Sequence, residues 1–222
     1  MNFLGHTHVA LASGEDDPRY LLGAVLPDLA SMAHVRLDRG SVQGELHRGV
    51  RCHIETDAVF HALPAFRHGS SAIRQQLVER GMRRGAARAV GHLGWELLLD
   101  GTLVETTTEQ AFRSALAEAA AEATTTAIAP EGQERWMTFL ARWHQRPEPR
   151  LHYDDPEWVA QRLMYALAPR PRLAFGSDDL TTVTEVLEEH AAEVVSAAPA
   201  TLDATATAWL AGTGSVGGDG VA

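Results

Sequence analysis

The chain has no lysine: all 19 of its basic residues are arginine. That excludes Schiff-base chemistry and a phosphate-binding loop built on lysine. Cys52 is the only cysteine, so no internal disulfide can form, and the lone thiol fits a cytoplasmic protein. No run of about 20 apolar residues is present, so no membrane span is expected. The opening MNFLGHTHVALASGEDD lacks a basic first segment, and histidines interrupt its apolar stretch, so it is not read as a signal peptide. With a formal charge of −10 the chain is no general nucleic-acid binder. No segment alternates apolar and polar residues for long, which removes strands from the expectation.

What is abundant is histidine. Eleven are present, and eight of them fall between His6 and His92. The chemistry is therefore expected in the first hundred residues. At 222 residues the chain can bury a substantial core. We read it as all-α, with one domain over residues 1–210 and a glycine-rich disordered tail over 211–222. Helices are expected at the opening segment, at LLGAVLPDLASMAH with a break or start near Pro27, and over Glu45–Ala62. Further helices are expected over Ser70–Arg80 with a serine cap, and over Gly85–Leu99 with Gly101 as C-cap. In the second half they are expected over Thr107–Thr126, over Glu131–Gln145, from Pro156 to Ala168 behind an Asp155 cap, and from Ser177 to Ala197. APRPRLAFG reads as an extended link.

Two stretches carry the chemistry. GVRCHIETDAVFH places His53, Asp57 and His61 four residues apart, and GHLGWELLLDG does the same with His92, Glu96 and Asp100. Steps of four advance about 40° around a helix, so each row lies on one stripe. Side chains four apart converge well enough to share a metal ion. A carboxylate such as Glu96, set among Gly, Ala, Leu and Trp, must be paired or metal-bound, because an isolated buried charge costs several kcal/mol. The bland alternative is pairing of Glu96 and Asp100 with Arg48 or Arg51. Asp28 is an isolated carboxylate in an apolar setting, and His6 and His8 form a further pair. Candidate metal ligands are thus His6, Asp28, His53, Asp57, His92 and Glu96. Candidate catalytic groups are His61 and His8, as acids for a leaving alkoxide, and Asp100. Histidine with carboxylate suits Mn, Zn or Fe. The arginines from Arg67 to Arg88 form a local basic patch, read either as a solvated face or as a dock for an anionic partner. Cys52 beside His53 reads as a core cysteine, since helix neighbours point about 100° apart.

The blocks MNFLGHTHVA, LLGAVLPDLA and GVRCHIETDAVFHALPAFR resemble, in order and spacing, the acyl carrier protein phosphodiesterase family over roughly the first hundred residues. That resemblance implies an HD-like helical fold, a divalent metal with Mn first, and removal of 4′-phosphopantetheine from holo acyl carrier protein or cleavage of a related phosphoester. It matches Asp28, His53 and Asp57 to the family's metal-site blocks. Ile54 and Glu55 stand where the family has arginines, His61 where it has an aspartate, and His92 and Glu96 where its third block has two aspartates. A looser pattern, GAVLPD at 23–28 with HxxxD at 53–57 and HxxxE at 92–96, is similar to zinc-dependent phospholipase C-like proteins. A non-catalytic helical metal-binding protein is the third reading.

Overall fold

A computed structural model describes residues 1–38, 40–119, 126–144 and 151–214. Among these residues the fold is all-α. The helices are α1 (Phe3–Leu11), α2 (Pro18–Met32), α3 (Gly44–Ala62), α4 (Pro64–Glu79), α5 (Arg84–Gly101), α6 (Thr107–Ala119), α7 (Gln133–His144), α8 (Pro156–Leu167) and α9 (Ser177–Gly214). A 3-10 turn, Pro130–Gly132, precedes α7. The β structure among the described residues is an isolated antiparallel bridge between Leu37 and Ile128. No described helix is long and apolar enough to cross a membrane.

The chain divides into two compact units. The first comprises Met1–Gly5, Val59–Val104 and Leu151–Thr205. Here α4 and α5 form a helical hairpin, and α8 packs on α5. A Cβ at Gly91 would lie 3.0 Å from the Arg74 nitrogen, and one at Gly69 would lie 2.8 Å from Trp95 Cδ1. Ile73, Leu77, Val90, Trp95, Leu163, Val183 and Leu187 are buried in this unit. The second comprises His6–Ala58, Glu105–Arg150 and the chain from Ala206. Here α2 packs on α6, with Leu21, Leu22, Val25, Leu26, Phe112, Trp136 and Leu140 in the interior. Arg19 closes on Glu118 at 2.9 Å, between α2 and α6.

Several boundaries differ from expectation. α2 runs through Pro27 rather than breaking there. Proline costs the helix one hydrogen bond, but Leu22, Leu26 and Leu29 are all at most 1% exposed, so burial continues on both sides of it. α4 begins at Pro64, which occupies its first turn, so Ser70 lies inside the helix and is no cap. Gly101 is the last helical residue and Thr102 the C-cap. The glycine is there for room: a Cβ would lie 2.7 Å from the Tyr153 carbonyl carbon. The Asp155 cap forms as expected, its Oδ1 accepting from the Glu157 and Trp158 nitrogens at 2.9 and 3.3 Å. The link before α9 is turned, with the nitrogens of Leu173 and Ala174 donating to the Arg170 carbonyl. α9 does not stop near Ala197 but continues past Pro199 to Gly214, because Ala198, Leu202, Ala206 and Trp209 extend its buried stripe. Residues 211–214 of the expected tail are therefore helical. Residues 215–222, the end of the expected 107–126 helix at 120–125, and Gln145 at the end of the expected 131–145 helix lie outside the described residues.

Candidate metal centre

The six candidate ligands fall into two clusters, each within one unit. The first gathers His6 from α1, Asp28 from α2, and His53 and Asp57 from α3. His6 Nε2 stands 3.8 Å from Asp28 Oδ2 and 3.6 Å from Asp57 Oδ1. His53 Nε2 stands 3.9 Å from Asp28 Oδ1. The two imidazoles stack with centroids 4.0 Å apart and planes 26° off parallel. The rings are buried, at 1% and 8% exposure, while the Asp28 and Asp57 side chains keep 33% of theirs. The apolar helices thus hold the rings, and the carboxylates form the watered side.

Local packing explains the placement. α2 and α3 meet backbone to backbone: a Cβ at Gly49 would lie 2.7 Å from the Gly23 Cα, and one at Gly23 would lie 2.8 Å from the Gly49 Cα. Only glycine permits that approach. It brings the Ala24 carbonyl to His53, one turn beyond Gly49, and the His53 Nδ1–H donates to it at 2.8 Å. That bond holds a proton on Nδ1, so Nε2, which faces Asp28, is the ring atom through which His53 could bind an ion.

These distances suit an ion. The three separations exceed the roughly 3.2 Å limit of a good nitrogen–oxygen hydrogen bond. Ligand atoms about 2.1 Å from a shared ion stand roughly 3 to 3.5 Å from one another, so small rotations of the side chains would close the shell. The His6, Asp28 and His53 ligand atoms all lie within 4.8 Å of each other. Two imidazoles and two carboxylates offer the mixed nitrogen and oxygen donors that a metal ion takes. The donor set could therefore hold a metal ion.

The second cluster gathers His61 from α3 with His92 and Glu96 from α5, its ligand atoms likewise within 4.8 Å. Its polar atoms touch. His61 Nε2 and His92 Nε2 stand 3.0 and 3.2 Å from the same oxygen, Glu96 Oε1, and the Met1 amino group stands 3.2 Å from it. Burial pushes the Glu96 carboxyl up, but the Met1 amino group and the bonds from His61 and His92 outweigh it and hold the group well below the usual carboxylate range. Phe66 meets both imidazoles edge-on, at 4.8 Å from His61 and 5.0 Å from His92.

The remaining candidates are placed differently. Asp100, expected among the catalytic groups, is fully buried and caps α1: its two oxygens accept from the Leu4 and Gly5 nitrogens at 2.8 Å each. Burial pushes its carboxyl up to about 7, against the pull of those two N–H groups. His8 belongs to neither cluster. It lies two residues, or about 200°, around α1 from His6, with its Nδ1 3.4 Å from Thr108 Oγ1 on α6. The alternative partners of Glu96 are engaged elsewhere: Arg48 pairs with Glu15 and Glu45, and Arg51 with Glu55 at 3.0 Å. Cys52 is a core residue, 2% exposed, its thiol pushed up to about 11 by burial. Part of the basic patch is structural, since Arg80 pairs with Glu185 and Glu189 at 2.9 and 2.6 Å. Sequence reasoning missed the Ala24 carbonyl, the Phe66 ring and the Met1 amino group. The glycines at 23 and 49, each inside a helical run, were the available signal for the first of these.

No protein-family model, no curated protein and no solved structure matches the chain.

Proposed function

We propose that the chain is a cytoplasmic, divalent-metal-dependent phosphoesterase centred on His6, Asp28, His53 and Asp57. One observation carries the metal: His53 is locked by the Ala24 carbonyl with Nε2 turned toward a carboxylate 3.9 Å away. Mixed nitrogen and oxygen donors favour Mn, with Zn or Fe as alternatives. The phosphoester class is supported by the order and spacing of the three sequence blocks, which carry Asp28, His53 and Asp57. The substrate proposed first is holo acyl carrier protein, cleaved at its 4′-phosphopantetheine diester.

A bound divalent ion would supply an acidified water and a Lewis acid for a phosphoryl oxygen. His6 and His53 contribute neutral nitrogens from a dry interior. Asp28 and Asp57 supply the compensating negative charge on the side open to water, where a substrate oxygen can approach. His8 lies against Thr108 and His61 against Glu96, so neither of these candidate leaving-group acids belongs to the cluster itself.

The test is direct. Purified protein is dialysed, reloaded with Mn and incubated with holo acyl carrier protein, and the mass of the carrier is followed. Loss of the phosphopantetheine mass in the wild type, but not after Asp28→Ala, is the expected result. Release from generic diesters without that conversion would move the substrate to a smaller phosphoester. No metal-dependent release from either would sink the enzyme reading.

A further inference from the structure

The second cluster has a function of its own to account for. It holds two imidazoles and one carboxylate, drawn from α3 and α5, and all three ligand atoms converge. Both Nε2 atoms reach one oxygen, Glu96 Oε1, at 3.0 and 3.2 Å. Separations of that size match the edge between neighbouring ligands on a single ion, as well as a hydrogen bond. His92 and Glu96 sit four apart on α5, the spacing that lets two side chains of one helix share a metal.

The cluster is also built, in that its rings are held before any ligand arrives. Phe66 contacts both imidazoles edge-on, Phe60 packs against His61 at 5.4 Å, and Trp95 backs Phe66 at 5.5 Å. This aromatic wall excludes water from one side. The other side is open: the His92 and His61 side chains are 44% and 29% exposed, while Glu96 is at 5%. A buried carboxylate behind two part-exposed imidazoles turns the cluster toward solvent, the side from which an ion would enter.

We propose that His61, His92 and Glu96 form a second divalent-metal site, of the two-histidine, one-glutamate kind that suits zinc. The ion takes the place of the protons that the two Nε2 atoms present to Oε1. Its proposal is independent of the phosphoesterase reading, because none of its ligands belongs to the His6, Asp28, His53 and Asp57 cluster.

The experiment counts zinc on the full chain. Protein is dialysed against zinc at a range of free concentrations, and bound metal is measured by elemental analysis, with far-UV circular dichroism as the folding control. The wild type is expected to bind two equivalents. His92→Ala and Glu96→Gln should each weaken one of them by about 100-fold or more, and His53→Ala should remove the other. His92 is half-exposed, so its truncation is the variant least able to disturb folding, and His61→Ala repeats the test from α3. If the wild type binds one equivalent that His92→Ala weakens and His53→Ala does not, the second site stands and the first centre falls. If His92→Ala and His61→Ala both retain wild-type zinc, or if no zinc binds at all, the proposal is overturned.

Discussion

The two clusters use nearly the same side chains and solve opposite problems. Around His6 and His53 the nitrogen–oxygen separations are 3.6 to 3.9 Å, with one imidazole fixed by a backbone carbonyl. Around Glu96 the separations are 3.0 to 3.2 Å, and three nitrogens crowd one oxygen. In the first, a backbone carbonyl orients one of the donors, the two imidazoles stack, and their nitrogens stand beyond hydrogen-bond distance of the carboxylates. In the second, the rings lie against Phe60 and Phe66 and the donors meet one another directly. Residue type and helical spacing are common to both, so neither decides whether a group of His and carboxylate side chains leaves room for an ion. The decision is made one layer out, by what holds the rings.

That contrast can be broken at four places. The largest effect is expected from Asp57→Ala, which removes a carboxylate from the first cluster while leaving its half-exposed surroundings in place. Metal-dependent turnover should fall by about 100-fold or more with an unchanged helical signal. Full activity in this variant would take Asp57 out of the centre. Next is Gly49→Ala, which touches no ligand. The added carbon meets the α2 backbone, and overpacking of this kind costs about 1–3 kcal/mol in urea unfolding. The α2–α3 spacing that brings Ala24 to His53 should widen, so metal affinity should drop together with stability. Unchanged affinity in a destabilised Gly49→Ala would show that the His53 bond does not depend on the close approach.

The third place is Asp100. Its folded carboxyl is raised to about 7 from an ordinary 3.8. The folded chain therefore holds more protons than the unfolded chain between those values, and stability falls as pH rises from about 4 to about 7, then levels off. Asp100→Asn should flatten that segment of the pH profile. It should also cost about 1–3 kcal/mol, because the amide can accept from only one of the two α1 nitrogens. A profile with the same slope in both proteins would assign the pH dependence to another group. The smallest effect belongs to Arg51→Ala. Its exposed pair with Glu55 should be worth no more than about 0.5 kcal/mol. Zinc and manganese stoichiometry should not move, since Arg51 is no partner of either cluster.

The helical class was readable from periodicity and from the absence of alternating segments, and the Asp155–Pro156 start from its capping chemistry. The gathering of His6, Asp28, His53 and Asp57 was readable only as a set of residue types, because what assembles it is a contact between α2 and α3. Pro27 misled for a physical reason that Pro199 repeats. Pro27 and Pro199 each cost a hydrogen bond, a local loss that the buried stripes of α2 and α9 offset. Asp100 misled in a different way. It shares the stripe of His92 and Glu96, but both of its oxygens are taken by the first turn of α1, some 95 residues earlier in the chain. Spacing along one helix cannot reveal a partner that arrives from so far away.

The Gly23–Gly49 contact bears on how this protein can drift in sequence. Helix pairs separated by side chains have a compressible layer: a leucine can become a methionine and the neighbours shift by tenths of an ångström. Where two backbones touch, that slack is gone, and every one of the other nineteen residues adds atoms to a space that has none to spare. A library randomised at both positions and selected for metal binding should return glycine at each. The chemistry on α3 is in this sense guarded by two positions that carry no chemistry at all.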